Sequence, residues 1–234
     1  MKMNQIAAEI VYENTLPASF VRRNNRFTAE VRIGERLETV HVKNTGRLGE
    51  LLLPEAAVML QTAENPHRRT AYDLISVYRP SLGWVNIDSL APNALVGKWL
   101  TGCGYDLIRP EQTYGASRID FYMERNGERY LTEVKGCTLA DDAHPGCGLF
   151  PDAPTERGVK HLHELAGAAA EGYHCSLVFV IQMNGIHTVY PNDRTQPEFG
   201  RALTAAAAAG VAIRCLGCQV AADRIRITAA AGSC

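Results

Sequence analysis

The stretch Arg118-Ile-Asp-Phe-Tyr-Met-Glu-Arg-Asn-Gly-Glu-Arg-Tyr-Leu-Thr-Glu-Val-Lys135 decides how this chain is read. Two alternating runs flank Asn126-Gly127, and Asn-Gly at the centre of a two-residue type I′ loop is the strongest short-range hairpin signal. Such a loop fixes the register, setting Arg125 opposite Glu128, Phe121 opposite Thr132 and Asp120 opposite Glu133. Side chains alternate along a strand, so Asp120, Glu133 and Lys135 share one face, while Ile119, Phe121, Tyr130, Thr132 and Val134 take the other. Facing residues have Cβ atoms about 5 Å apart, and like charges at that distance repel. A divalent cation would remove the conflict. Mg²⁺ or Mn²⁺ is commonly held by one or two carboxylates, with its remaining positions left to water and phosphate oxygens. An ammonium beside such an ion suits hydrolysis of a phosphodiester. The bland alternative is a surface hairpin on which Lys135 pairs with both acids, worth about 1 kcal/mol or less, and the spacing alone does not separate the two.

Upstream of this hairpin, Ser19 to Arg79 has a β texture. Phe27, Ala29, Val31 and Ile33 alternate with Arg26, Thr28, Glu30 and Arg32, and shorter apolar pieces follow at Thr39–Val42, Glu50–Leu53 and Ala71–Tyr78, a spacing that suggests a small barrel or sandwich. After Pro92 the pattern becomes α/β, with helices expected near 93–100, 156–171 and 197–209 and strands near 118–135, 176–183 and 211–215. Thr155 is the N-cap candidate of the second helix, whose apolar stripe is read as Val159, Leu162, Ala166 and Ala169. A strand, a covering helix and a further strand imply a partly parallel sheet.

The 234 residues, 46% of them apolar and 21% charged, exclude disorder and collagen, and a net charge of −1 leaves any nucleic-acid footprint to local patches. No window approaches the roughly 18 apolar residues of a spanning helix, so no membrane is expected and a cytoplasmic location is. Seven cysteines, Cys103, Cys137, Cys147, Cys175, Cys215, Cys218 and Cys234, fit reduced thiols better than a disulfide framework. The lone C-x-x-C at Cys215 and Cys218 is weak evidence for zinc.

With these residues in hand, the Asp120…Glu133-x-Lys135 hairpin resembles the active site of the PD-(D/E)XK nucleases. More specifically the chain resembles the sugar fermentation stimulation protein (SfsA) family. The motifs that carry this are Phe-Val-Arg-Arg-Asn-Asn-Arg-Phe27, Lys-Asn-Thr-Gly-Arg47, Val-Asn-Ile-Asp88 with Pro-Asn93, Tyr114-Gly with Ser-Arg-Ile-Asp-Phe121, Glu-Val-Lys135 with Thr-Leu139, and Phe-Pro-Asp-Ala-Pro-Thr-Glu-Arg-Gly158 with Lys-His-Leu162. The resemblance implies an α+β chain of two domains, an N-terminal OB-like β-barrel over 1–85 followed by a restriction-endonuclease-like α/β domain over 86–234. It implies nucleic-acid binding, DNA more than RNA, and nuclease activity with Mg²⁺ or Mn²⁺. Asp120 and Glu133 would be the metal ligands, Glu111 a third carboxylate and Lys135 the catalytic lysine. Ile119 stands where the superfamily's name has Pro, and Lys43 replaces the family's usual Pro before Asn44.

For nucleic-acid contact the expected residues are Arg22, Arg23, Arg26, Lys43, Asn44 and Arg47 on the barrel and Arg118, Arg157 and Lys160 beside the carboxylates. Asp152 is read first as a helix cap and second as a metal neighbour. His161 and His163, two apart on a helix, do not point the same way, so no zinc pair is read there. Homo-oligomerisation stays open. The competing class is a DNA-binding regulatory protein of sugar metabolism that keeps the scaffold without turnover.

Overall fold

The computed structural model of the chain describes residues 8–65 and 67–233, with side chains through 228; Cys234 lies outside the described residues. The first strand, β1 (Glu9–Val11), does not join the barrel. β2 (Thr15–Arg23), β3 (Thr28–Ile33), β4 (Arg36–Val42), β5 (Ala57–Thr62) and β6 (Tyr72–Arg79) follow in antiparallel order β4-β3-β2-β5-β6, and a parallel pairing of β4 with β6 closes the ring. A closed five-stranded barrel has no free edge to protect. β7 (Gly83–Asn86) extends it from β6. Ala29 and Val31 point inward and are fully buried, as the alternation requires. Phe27 departs from that pattern: it precedes β3, is 45% exposed, and lies under the Arg26 guanidinium. Glu50–Leu53 is not a strand either. Leu51 and Leu52 donate backbone hydrogen bonds to the Leu48 carbonyl, and Leu48, Leu51 and Leu52 are buried as a plug for the barrel.

The rest of the chain forms α1 (Ala91–Thr101), β8 (Leu107–Tyr114), β9 (Ser117–Arg125), β10 (Glu128–Cys137), β11 (Leu139–Ala140), β12 (Cys147–Phe150), α2 (Glu156–Ala170), β13 (His174–Ile181), β14 (Thr188–Pro191), α3 (Pro197–Ala208), β15 (Ala212–Ala221) and β16 (Arg224–Ser233). The main sheet has the order β1-β16-β15-β13-β10-β9-β8. Its centre, β10, β13 and β15, is parallel because α2 and α3 cross over between these strands. The buried run Leu177–Ile181 is its middle. Leu95, Val96 and Leu100 of α1 pack with Phe121, Met123 and Val134 on one face. Leu162 and Leu165 of α2 and Phe199 of α3 pack on the other, in a buried cluster continuous with the barrel interior.

Two expectations change here. β1 pairs with β16, so the unit read as 1–85 gives its first strand to the main sheet; three residues were too few to show which sheet they join. Cys215 and Cys218 belong to buried clusters on opposite faces of β15, so they do not form a chelating pair. The second change is in the thiols, expected to be reduced: Cys103, Cys137, Cys147, Cys175 and Cys218 are free, whereas Cys215 is disulfide-bonded.

Candidate functional site: a buried carboxylate and lysine on the β9–β10 hairpin

Asn126 and Gly127 both have positive φ, 52° and 81°, the type I′ geometry that Asn-Gly tolerates. The ladder runs in the expected register from Arg125–Glu128 to Phe121–Thr132 and ends there. One residue further, Asp120 is not a ladder partner of Glu133. Its Oδ2 accepts the Val134 N–H at 2.8 Å and its Oδ1 accepts from Asn93 Nδ2 at 2.8 Å. The alternation breaks at the same point, since Ile119 packs with Leu131 and Leu162, away from the cluster that holds Phe121 and Val134.

Glu133 is 2% exposed. Lys135 Nζ donates to its Oε1 at 2.5 Å, and His161 of α2 bonds the same oxygen. Arg157 Nε donates to His161 Nε2 at 3.3 Å, which leaves the imidazole proton on Nδ1, facing Glu133. Glu133 Oε2 is buried and has no hydrogen-bond partner. The two acids diverge electrostatically. Burial would raise Glu133, but hydrogen bonds from His161 and Lys135, with the Lys135 charge, outweigh it and hold the carboxyl below its ordinary range. For Asp120, burial and then the nearby Glu133 charge push the carboxyl up, against the Val134 and Asn93 bonds.

Two clefts adjoin this cluster. One, about 640 Å³, gathers Arg118, Arg157, Lys160 and His161. The other, about 430 Å³, runs between the barrel residues Arg26, Asn44 and Gly46 and the domain residues Gly136, Asp152 and Gln182. Arg26, Arg118, Arg157 and Lys160 line these clefts, with Arg118 paired to Glu111, Arg157 donating to His161 and Lys160 donating to the Ala116 carbonyl at 2.9 Å.

The other expected residues are engaged with the protein itself. Arg22 forms a two-pronged pair with Glu30 at 2.7 and 3.0 Å, as cross-strand neighbours on β2 and β3. Arg23 directs all five of its N–H groups to backbone carbonyls: Asn25, Arg26, Asn44, Gly46 and Arg47. It is the post on which two barrel loops are hung. Lys43 pairs with buried Asp88 at 2.7 Å, and Asn44 accepts the Gly46 N–H. Arg47 has an exposed side chain, and its backbone N–H bonds Asp152 Oδ2 at 3.0 Å. Asp152 thus ties barrel to domain and is not the helix cap; Thr155 is the cap, accepting from Gly158 N. Glu111 is exposed and pairs with Arg118 at 3.4 Å; on the β8–β9 ladder it falls between Pro110 and Gln112, whose partners Phe121 and Ile119 flank Asp120. Among the described residues no three His, Cys, Asp or Glu side chains converge as a ready-made metal cluster.

Sequence reasoning missed His161 by drawing the α2 stripe one residue off. The buried positions are Gly158, His161, Leu162, Leu165 and Ala168. A helical stripe drawn from Leu165 back to Gly158 passes through His161, and a histidine inside an apolar stripe needs a polar partner.

An OB-type barrel joined to an α/β sheet domain, with a buried Glu-Lys-His cluster at the end of a hairpin, defines the class. Comparison with known proteins narrows it. The family model described as "Sugar fermentation stimulation protein RE domain" matches residues 89–224, and that described as "SfsA N-terminal OB domain" matches 21–87. A sugar fermentation stimulation protein homolog of Desulfitobacterium hafniense is 48% identical over 92% of this chain and 93% of its own. One from Clostridium botulinum is 43% identical over 90% and 93%. The solved structure of Pyrococcus furiosus SfsA in complex with Ca²⁺ superposes with a TM-score of 0.83 at 27% identity, covering 95% of this chain and 97% of that one. The chain belongs to the sugar fermentation stimulation protein family. No helix among its described residues is long and apolar enough to cross a membrane.

Proposed function

We propose that the chain is a metal-dependent nuclease of the PD-(D/E)XK kind, acting on DNA in preference to RNA, with Asp120 and Glu133 as ligands of Mg²⁺ or Mn²⁺ and Lys135 as the catalytic lysine. The observation that carries this reading is the buried Glu133 Oε2 with no partner, beside an Asp120 whose charge the site disfavours. A buried carboxylate oxygen without a donor is costly, and a cation supplies what hydrogen bonding does not. Hard oxygen donors suit Mg²⁺, Mn²⁺ or Ca²⁺. The Ca²⁺ complex of the Pyrococcus relative supports a divalent cation in this family. Only two carboxylates are on hand, so the remaining positions would go to water and a phosphate oxygen.

When bound, the ion supplies Lewis-acid stabilisation of phosphate charge and acidifies water. The chain's own groups do the rest. Lys135 holds Glu133 at 2.5 Å and keeps two further ammonium N–H groups for an attacking water or a phosphate oxygen. His161 orients Glu133 from below and is itself held by Arg157, so it is a positioning residue. Asn93 and the Val134 N–H fix Asp120. Arg26, Arg118, Arg157 and Lys160 in the adjoining clefts are the phosphate-binding groups.

The test is incubation of the purified protein with labelled single- and double-stranded DNA and RNA in Mg²⁺, Mn²⁺ or EDTA. Cleavage that needs metal and disappears with EDTA is expected; no cleavage of any substrate with either metal overturns the nuclease reading. The second reading, a DNA-binding regulator without turnover, takes its support from the relatives' name, and binding without cleavage would favour it.

A further inference from the structure

The α1 face of the main sheet changes character along its length. Under the helix the sheet presents Val134, Val178 and Leu216, all buried. Past the end of α1 at Thr101, the same strands present Thr132 and Ser176, ladder partners on β10 and β13 whose hydroxyls are 2.7 Å apart, then Ala212 on β15. Small side chains below and no helix above leave a cavity of about 430 Å³. Trp99 from the end of α1 lines it, as do Tyr105 and Tyr130, which meet edge-to-face at 5.2 Å between ring centres with Tyr130 stacked on His174, and Arg125 and Arg214 are also in the lining.

The two arginines decide what the cavity suits. The Arg125 guanidinium lies 5.3 Å from the Tyr105 ring centre and 5.4 Å from that of Tyr130. Stacking of this kind leaves the in-plane N–H groups free for an anion. Its one hydrogen bond among the described residues is a long one, 3.4 Å, to the Tyr130 hydroxyl. Arg214 is exposed on β15, and neither arginine has an acidic partner among the described residues. Glu128, the ladder partner of Arg125, is bonded to His174, and Asp106, next to Tyr105, accepts the Asn126 N–H. In the Thr132–Ser176 pair one hydroxyl donates to the other, so one O–H remains for a ligand at the floor.

We propose that this cavity is a binding site for a planar aromatic anion of about mononucleotide size, its ring against the Trp99 side of the cavity and its anionic group between Arg125 and Arg214. The volume lies within the range of small-molecule sites, and aromatic walls with a few convergent polar groups are their usual build. The site is separate from the carboxylate cluster: Thr132 faces the α1 side, whereas Glu133, next along β10, meets His161 of α2. The proposal does not depend on nuclease activity.

The test is calorimetric titration of the full chain in EDTA with adenosine monophosphate, adenosine and inorganic phosphate, followed in parallel by tryptophan fluorescence. Saturable binding of the monophosphate is expected, stronger than that of either fragment. Arg214→Gln should weaken it roughly tenfold, the effect of one lost charge-assisted hydrogen bond, and Ala212→Phe should abolish it by filling the floor. Arg157→Gln with Lys160→Gln should leave it unchanged. Both Arg214 and Ala212 are exposed strand positions, and should Ala212→Phe misfold, Arg214→Gln alone decides. No saturable binding at millimolar monophosphate overturns the proposal. So does phosphate binding as tightly as the nucleotide, or binding lost with Arg157 and Lys160 while surviving Arg214→Gln.

Discussion

In the barrel, Arg22, Arg23 and Lys43 direct their donors to Glu30, to five loop carbonyls and to Asp88. In the α/β domain, Glu133 keeps an oxygen without a donor, and Asp120 is held near another negative charge. The barrel cluster is the denser in charge along the sequence, yet its cations are largely satisfied by the protein. The hairpin cluster, made of three charged residues fifteen positions apart from first to last, is the one left incomplete. Charge that is paired internally builds structure, and charge left short of partners is available to a ligand.

The comparison can be broken most decisively at Lys135. Lys135→Ala should retain metal and nucleic-acid binding while single-turnover cleavage falls about 100- to 1000-fold, or about 3 to 4 kcal/mol, the usual cost of one preorganised electrostatic group. Cleavage at the wild-type rate would return Lys135 to the status of a salt-bridge partner. Next comes Arg23→Gln, which leaves several carbonyls of two loops without their shared donor and should cost about 2 kcal/mol in urea unfolding. A change within 0.5 kcal/mol would mean that water replaces the guanidinium freely.

A smaller effect with a distinctive pH dependence is expected at Asp120. Its folded pKa is raised, so the stability it contributes is full at acid pH and lost as pH rises through the folded value. Asp120→Asn should therefore gain stability relative to wild type as pH rises from the ordinary carboxylate range to 7 in EDTA, against the cost of turning its amide NH₂ toward the Asn93 or Val134 donor. Glu133 has the opposite sign: it stabilises above the ordinary carboxylate pKa and loses that contribution as pH falls through its lowered folded value. Thermal melts from pH 3 to 8 check both, and Mn²⁺ should erase the Asn advantage. The smallest effect is at Arg22, whose exposed, solvent-screened pair with Glu30 should contribute little to stability. Arg22→Ala should also leave the salt slope of DNA binding alone, whereas Arg157→Ala should reduce it by about one. Equal slopes for the two variants would contradict the division drawn between barrel and cleft.

Much of this was legible because it rests on local chemistry. Asn126-Gly127 dictated a turn, the turn dictated a register, and the register brought Asp120, Glu133 and Lys135 into one neighbourhood. Thr155 announced the start of α2, and the run Leu177–Ile181 announced a central strand. What the sequence did not disclose depends on long-range partners. The break in alternation at Asp120 follows from a ladder that ends at Phe121, and the occupation of Arg23 from two loops that only the closed barrel brings within reach. His161 lay between, visible in principle as the polar member of an apolar stripe.

The pairing of β1 with β16 bears on the order of assembly. Glu9–Val11 finds its partners at Arg224–Arg226, at the opposite end of the sequence. A contact of that separation requires closing nearly the whole chain into one loop, and it offers only three residues of ladder in return. The barrel and the parallel centre of the main sheet close much smaller loops, so they can form while this first strand is still undocked. The seam it completes covers the Arg224–Arg226 end of the outer edge of β16, and until it closes that end is open to strands of other molecules. Replacing Ile10, whose Cα faces Ile225 across the seam, should raise the tendency to associate during refolding more than it lowers the stability of the finished fold.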